Sequence, residues 1–234
     1  MRIEVIPRDE FLTNRWAYEP GEHVTLLAPT GGGKTYLAAQ LLDHALTGKV
    51  RAVALVMKPR DRTASRFAKA LKLRIVRTWP PFPSIWQPQP RGWVLWPKHR
   101  FDPAYDDLHL HREFRKALLD SYKKGDRIIF GDEVAGLVDD LGLERELKAI
   151  WSRGRSMGAG LWAATQRPSH IPLLAYNSAE HLFLAYDPDK RNQDRFSEIG
   201  GVDPVLVKST VLGLRKYQWL YIRRSDRAMC IVDK

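Results

Sequence analysis

Residues 28–35 read Ala-Pro-Thr-Gly-Gly-Gly-Lys-Thr. They stand between a short apolar run, His23-Val24-Thr25-Leu26-Leu27, and a stretch in which Leu37, Leu41 and Ala45 recur at helical spacing before Gly48. Strand, glycine-rich turn and helix in this order constrain the fold more than anything else in the chain. The run fits the phosphate-loop pattern G-x-x-x-x-G-K-[ST] except at its first position, where Ala28 replaces glycine. Three successive glycines, Gly31, Gly32 and Gly33, let the backbone wrap a phosphate with its N–H groups turned inward. A helix that starts at the phosphates offers the positive end of its dipole. Lys34 can reach the β and γ phosphates, and the Thr35 hydroxyl can ligate Mg²⁺. The expectation is a site for ATP and Mg²⁺ built from Pro29, Thr30, Gly31, Gly32, Gly33, Lys34, Thr35 and Tyr36, with ATP hydrolysed there. Ala28 is small enough for the tight turn.

Such a site needs a carboxylate at the end of a buried strand. Arg127-Ile128-Ile129-Phe130-Gly131 leads into Asp132-Glu133 and supplies it. Asp132 is placed to hold Mg²⁺, through water, and Glu133 to orient and polarise the attacking water. A further apolar run, Gly160 to Ala164, closes on Thr165-Gln166-Arg167-Pro168. In a parallel sheet that strand end faces the same crevice as the phosphate loop. Gln166 could contact the γ-phosphate or the water there; taken alone, it reads better as a strand-end polar residue.

The remaining punctuation alternates strand-like and helix-like segments, which predicts an α/β fold with a mostly parallel sheet. Strands are expected at 53–57, 92–96 and 181–186. Helices are expected at 36–47, 62–71, 108–123, 189–199 and 204–214, with a helical stripe at Leu143, Leu147, Ile150 and Trp151 and a hairpin over 217–232. Residues 79–103 interleave Trp79, Trp86, Trp93 and Trp96 with Pro80, Pro81, Pro83, Pro88, Pro90 and Pro97, which no regular helix tolerates. Those tryptophans are expected in core or interface packing. No linker or repeat divides residues 1–234, so one domain is expected.

The chain carries 38 Lys and Arg against 27 Asp and Glu, a formal charge of +11. A surplus of that size points to a polyanionic partner such as nucleic acid; a merely basic, soluble surface is the alternative. No apolar run approaches the roughly 20 residues that span a bilayer, and the N-terminus has no signal-peptide core. The single cysteine, Cys230, excludes an intrachain disulfide.

The run Arg-Gly-Arg-Ser-Met-Gly-Ala-Gly-Leu-Trp-Ala-Ala-Thr-Gln-Arg-Pro, residues 153–168, resembles the sensor region of the FtsK and HerA translocating ATPases. The order phosphate loop, Asp-Glu, Thr-Gln-Arg-Pro is similar as well. Asp194-Arg195 and Glu198-Ile199-Gly200-Gly201 resemble the C-terminal part of that family, so the likeness covers most of 22–222. It implies a RecA-like P-loop NTPase with a central sheet flanked by helices and a C-terminal β-hairpin. It also implies a homo-oligomeric ring, pentamer or hexamer, that pumps double-stranded DNA without sequence preference. An arginine finger from the neighbouring subunit is implied too, with Arg155 the first choice and Arg153 the second; the alternative for either is a basic helix end that complements the helix dipole.

A bare ATPase core of this length, with no membrane span, resembles the genome-packaging ATPase of a tailless, membrane-containing or archaeal-type virus. That would act in the host cytoplasm or on the virion, with a capsid vertex or portal as partner. A conjugation or plasmid DNA-transfer ATPase, or an ATP-switched assembly or secretion factor that moves no DNA, stays open. Lys58, Arg60 and Arg62, or Lys98, His99 and Arg100, could line a DNA channel or be plain solvated surface.

Overall fold

The computed structural model describes residues 3–82, 89–196, 198, 199 and 201–234. Pro83, Trp86 and Pro88 of the Trp/Pro stretch, and Gly200, lie outside the described residues. The strands are β1 (Glu4–Pro7), β2 (His23–Leu27), β3 (Arg51–Leu55), β4 (Arg74–Val76), β5 (Gly92–Leu95), β6 (Arg127–Gly131), β7 (Ala159–Thr165), β8 (Ala179–Leu184), β9 (Trp219–Arg223) and β10 (Ala228–Asp233). The α-helices are α1 (Arg8–Asn14), α2 (Lys34–Ala45), α3 (Arg62–Ala70), α4 (Pro103–Lys124), α5 (Val134–Asp139), α6 (Glu144–Arg153), α7 (Leu174–Asn177), α8 (Lys190–Phe196) and α9 (Pro204–Leu212).

These strands form one sheet in the order β1-β10-β9-β8-β2-β7-β6-β3-β5-β4. β9 runs antiparallel to β8 and β10, closing the C-terminal hairpin, and the other neighbouring pairs are parallel. The central strands β2, β7 and β8 are buried at every position. Continuous apolar runs of this kind belong to a parallel sheet covered on both faces. Alternation within the runs sorts the two cores. Ile128 and Phe130 join Ala52 and Ala54 on one face, under Phe11 of α1, Leu37 and Leu41 of α2 and Phe67 of α3. Ile129 joins Val53 and Leu55 on the other, under Phe114 and Leu118 of α4, Leu147 and Trp151 of α6 and Val207 of α9. Each Val, Leu, Ile or Phe among them taken fully out of water contributes about 1.5–3 kcal/mol.

The element boundaries differ from the sequence reading in informative places. α2 begins at Lys34 rather than Tyr36, so Lys34 and Thr35 sit in its first turn. α4 begins at Pro103 rather than Leu108, because Asp102 caps it by accepting from the Tyr105 N–H and Pro103 occupies the first helical position. In the Trp/Pro stretch Trp79 and Trp93 pack edge to face with centroids 5.7 Å apart, and Trp96 is buried as well. β1, α1, β4 and α5 carry no sequence expectation of their own.

Parallel order collects the loops that follow the strands at one edge. The phosphate loop follows β2, Asp132-Glu133 follows β6, Gln166 follows β7, Asp187 follows β8 and Lys58 to Asp61 follow β3. In an open α/β sheet ligands bind at that edge.

Candidate active site

The phosphate loop has the backbone that its glycines permit. Gly31 and Gly33 take left-handed φ values of 74° and 89°. A Cβ on Gly32 would fall 2.8 Å from the Ala28 Cβ and 3.0 Å from the Pro29 carbonyl oxygen. The same 2.8 Å approach explains the tolerance for Ala28: its single methyl fits only because Gly32 has none. The Ala28 N–H donates to the Thr165 carbonyl at 3.3 Å, tying the loop to β7. Gly33 caps α2 without a side-chain hydrogen bond, so the first-turn N–H groups are donors with no side-chain acceptor. Lys34 Nζ donates to the carbonyls of Ala28 at 2.6 Å and Pro29 at 3.1 Å. Burial lowers the pKa of this ammonium, while Glu133 and Asp132 pull it back up. An anion placed on the loop would remove that penalty on the charged form.

Thr35 Oγ1 donates to Asp132 Oδ1 at 2.7 Å, although 97 residues separate them. Two hard oxygen donors meeting at the phosphate loop fit Mg²⁺, which is held by few protein oxygens plus water and phosphate. Glu133 is held at both carboxylate oxygens: Oε1 accepts from the Thr165 hydroxyl and Oε2 from the Gln166 N–H at 3.2 Å. Thr165 is fully buried and its oxygen also accepts from the Arg167 N–H at 2.9 Å, so its hydroxyl hydrogen is directed at Glu133. The Thr30 hydroxyl donates to Gln166 Oε1, which fixes that side chain over the loop. The structure therefore gathers Thr30, Lys34, Thr35, Asp132, Glu133 and Gln166 at one edge.

The cleft at this edge, phosphate loop included, has a volume of about 580 Å³. Its wall includes Tyr36, which is 64% exposed, together with Lys58, Asp61 and Thr63. The two ends of the chain supply Arg8, Tyr217, Trp219 and Lys234. An Arg8 guanidinium nitrogen donates to the Tyr217 carbonyl at 2.7 Å, and the group lies 6.0 Å from the Tyr36 ring centroid. Sequence reasoning missed Arg8, Tyr217, Lys234 and Thr165. The only local signal was the position of Thr165 beside Gln166; the other three reach the cleft through long-range pairing of β1, β9 and β10.

Arg155 and Arg153 do not join this group. They precede β7, at the end opposite Thr165, and seven residues of strand separate the two ends by about 20 Å. Arg155 is largely exposed, 3.8 Å from Glu22 and 3.9 Å from Glu180. Arg153 is exposed at the last position of α6. Among the described residues no cluster of His, Cys, Asp and Glu forms a metal cage, and no helix is long and apolar enough to cross a membrane.

No family model matches the sequence, and no curated protein matches it. Solved structures do. B204, the DNA-packaging ATPase from Sulfolobus turreted icosahedral virus, aligns at a TM-score of 0.63 and 16% identity, covering 92% of this chain and 98% of that one. The genome-packaging NTPase B204 from Sulfolobus turreted icosahedral virus 2, in complex with AMPPCP, aligns at 0.61 and 16%, over 92% and 99%. The pCW3 conjugation coupling protein TcpA aligns at 0.56 and 16%, over 91% of this chain and 60% of TcpA. Identities this low speak for architecture alone, and the architecture is that of a P-loop ATPase: a mostly parallel sheet between helical layers with its phosphate loop after a central strand.

Proposed function

We propose that this chain is an ATPase motor, acting as one domain within a homo-oligomeric ring of five or six subunits, that drives double-stranded DNA into a preformed viral capsid. The observation that carries the ATPase reading is the convergence of Lys34, Thr35, Asp132, Glu133 and Gln166, three loops apart in sequence, on one sheet edge. The loop amides and the first turn of α2 would bind the phosphates, and Lys34 would neutralise the β and γ oxygens. Mg²⁺ on Thr35 and Asp132 would stabilise charge developing between the β and γ phosphates. Glu133, aimed by Thr165 and the Gln166 N–H, would accept the proton of the attacking water. Gln166 would sense the γ-phosphate.

DNA as the cargo is supported by the +11 charge. Packaging is supported by the mutual coverage with a viral DNA-packaging ATPase, 92% and 98%, which leaves little of either chain unmatched. On this reading the ring works in the host cytoplasm, docked on a capsid vertex or portal. The match to a conjugation coupling protein keeps DNA transfer as the second reading.

The test is ATP hydrolysis with and without duplex DNA of unrelated sequences, beside displacement of a third strand from a triplex. Stimulation and ATP-dependent displacement, both lost in Lys34→Ala, are expected. Hydrolysis indifferent to DNA at low salt, with no displacement, would favour an ATP-switched assembly factor. A capsid-protein gene beside this one separates packaging from conjugation.

A further inference from the structure

We propose that the loops after β3 and β5 form a single ridge that grips the phosphate backbone of duplex DNA, with Arg60, Lys98 and Arg100 as the contacting cations. This rests on the motor reading above and names the surface that reading leaves unassigned. The two loops are far apart in sequence but follow paired strands, Leu55 opposite Leu95. They are stitched together past the strand ends. The Val56 N–H donates to the Leu95 carbonyl at 3.1 Å, and the Trp96 indole N–H donates to the Lys58 carbonyl at 2.8 Å.

The ridge carries a surplus of cations: Lys58 lies 3.9 Å from Asp61 and His99 lies 3.3 Å from Asp106, and three further cations are left over. Arg60, Lys98 and Arg100 are exposed, and among the described residues none of them pairs with a carboxylate. Two of them lean on aromatic rings instead: Arg100 lies 4.2 Å from the Tyr105 centroid and Arg60 lies 5.9 Å from that of Phe101. A ring orients a guanidinium without cancelling its charge, so less side-chain freedom is lost when phosphate is bound. The other basic surface, where α4 meets α6, is the opposite case. There Arg112 and Lys116 pair with Glu113, Arg115 with Glu146 and Lys148 with Glu144.

The turn at the crest is also held in a conformation that a non-glycine residue rarely adopts. Phe101 has φ 63° and is 70% exposed. The buried Asp106 carboxylate enforces it by accepting from the Arg100 N–H at 2.8 Å and the Phe101 N–H at 3.0 Å, with His99 at 3.3 Å. A strained, exposed turn fixed by a buried acid marks a position kept for contact. Cations on a stiff turn reach phosphate and sugar rather than base edges, which suits binding without sequence preference. The same β3 loop lends Lys58 and Asp61 to the nucleotide cleft, so grip and nucleotide share one segment.

The experiment measures duplex DNA affinity across a salt series for the wild type, for R60A/K98A/R100A, for the charge-conserving R60K/K98R/R100K, and for R112A/R115A/K148A as the control surface. DNA-free ATP hydrolysis and sedimentation are recorded for each. The ridge triple is expected to weaken binding at least tenfold and to flatten the slope of log affinity against log salt by about 0.9 per lost phosphate contact. Its basal hydrolysis and assembly should be unchanged. The charge-conserving triple should keep the wild-type salt slope and bind within about threefold of wild type, and the control should bind like wild type. Wild-type affinity and slope in R60A/K98A/R100A would overturn the assignment while leaving the motor reading intact. So would an equal loss in the control, or a ridge triple whose only defect is a smaller assembly, which would make the ridge a subunit contact. If wild type binds no DNA, the motor reading itself fails, and the ridge with it.

Discussion

Glu133 does not stand alone at the strand end. One carboxylate oxygen accepts from a buried hydroxyl and the other from a backbone amide, which leaves few orientations open to it. Glu133→Gln keeps the shape and removes the base, so ATP should bind normally while single-turnover hydrolysis falls by about 10²–10⁴. Normal turnover in E133Q would put the base elsewhere. Thr165→Val is the finer probe, since valine keeps the buried volume and loses the O–H that aims Glu133, together with the acceptor for the Arg167 N–H. A hydrogen bond to a charged group is worth about 1.5–3 kcal/mol, so kcat should drop roughly ten- to hundredfold with ATP affinity held. Weakened ATP binding at unchanged kcat would instead mean that Thr165 supports the phosphate loop through the Ala28–Thr165 contact. Lys34, Thr35 and Asp132-Glu133 were legible in the sequence because their chemistry demands fixed residue types in contiguous runs. Arg8, Tyr217 and Lys234 were not, because nothing near them in sequence says that chain ends meet at a nucleotide cleft.

At the scale of elements, apolar periodicity revealed every strand of the parallel centre, whose burial on both faces leaves runs of aliphatic residues. It failed at the rim. β1 is only four residues long, with one buried position, and is defined by its partner β10. The start of α4 was missed because Asp102-Pro103 is a helix-initiating pair that sits inside a proline-rich stretch. β2 and β7 are tied by more than their ladder, since His23 Nδ1 accepts the Leu161 N–H at 2.9 Å in a nearly dry site. Burial pushes the His23 pKa down to about 4, with the nearby Trp151 carbonyl opposing and Arg155 assisting. The unfolded chain would protonate near 6.5, so between those values it binds a proton that the native state refuses. Stability should therefore be full above about pH 6.5 and fall towards pH 4, by roughly 3 kcal/mol from this residue. Urea unfolding across pH 4–7 checks it against His23→Asn, whose Oδ1 takes the place of Nδ1 and can still accept from Leu161 but cannot titrate. The variant should lose that part of the slope, and identical pH curves would remove His23 from the account.

At the scale of the whole molecule, the parallel sheet separates two chemistries by the length of a strand. The nucleotide edge collects the loops after β2, β3, β6 and β7, while Arg155 precedes β7 at the far edge, about 20 Å away. No rotamer of Arg155 spans that distance, so it cannot act on its own chain's phosphates. If it is the arginine finger that the 153–168 run implies, it must act on a neighbour's. Its own surroundings leave it available: the guanidinium is mostly exposed, and its two carboxylates are nearly 4 Å away, a geometry worth at most about 1 kcal/mol. Arg155→Ala should therefore fold and bind ATP like wild type yet hydrolyse about 10³–10⁵ times more slowly, the range for trans-acting arginines. Mixing decides whether the action is between subunits. R155A and Lys34→Ala subunits are each inactive alone. In a mixed ring, an R155A subunit keeps its own Lys34 and can receive Arg155 from a K34A neighbour, so hydrolysis should reappear and peak near equal proportions. Recovery requires assembly and action in trans together, which neither variant alone reports. Normal hydrolysis by R155A would transfer the role to Arg153, exposed two residues earlier at the end of α6. Failure of R155A to assemble would make it a structural contact between subunits.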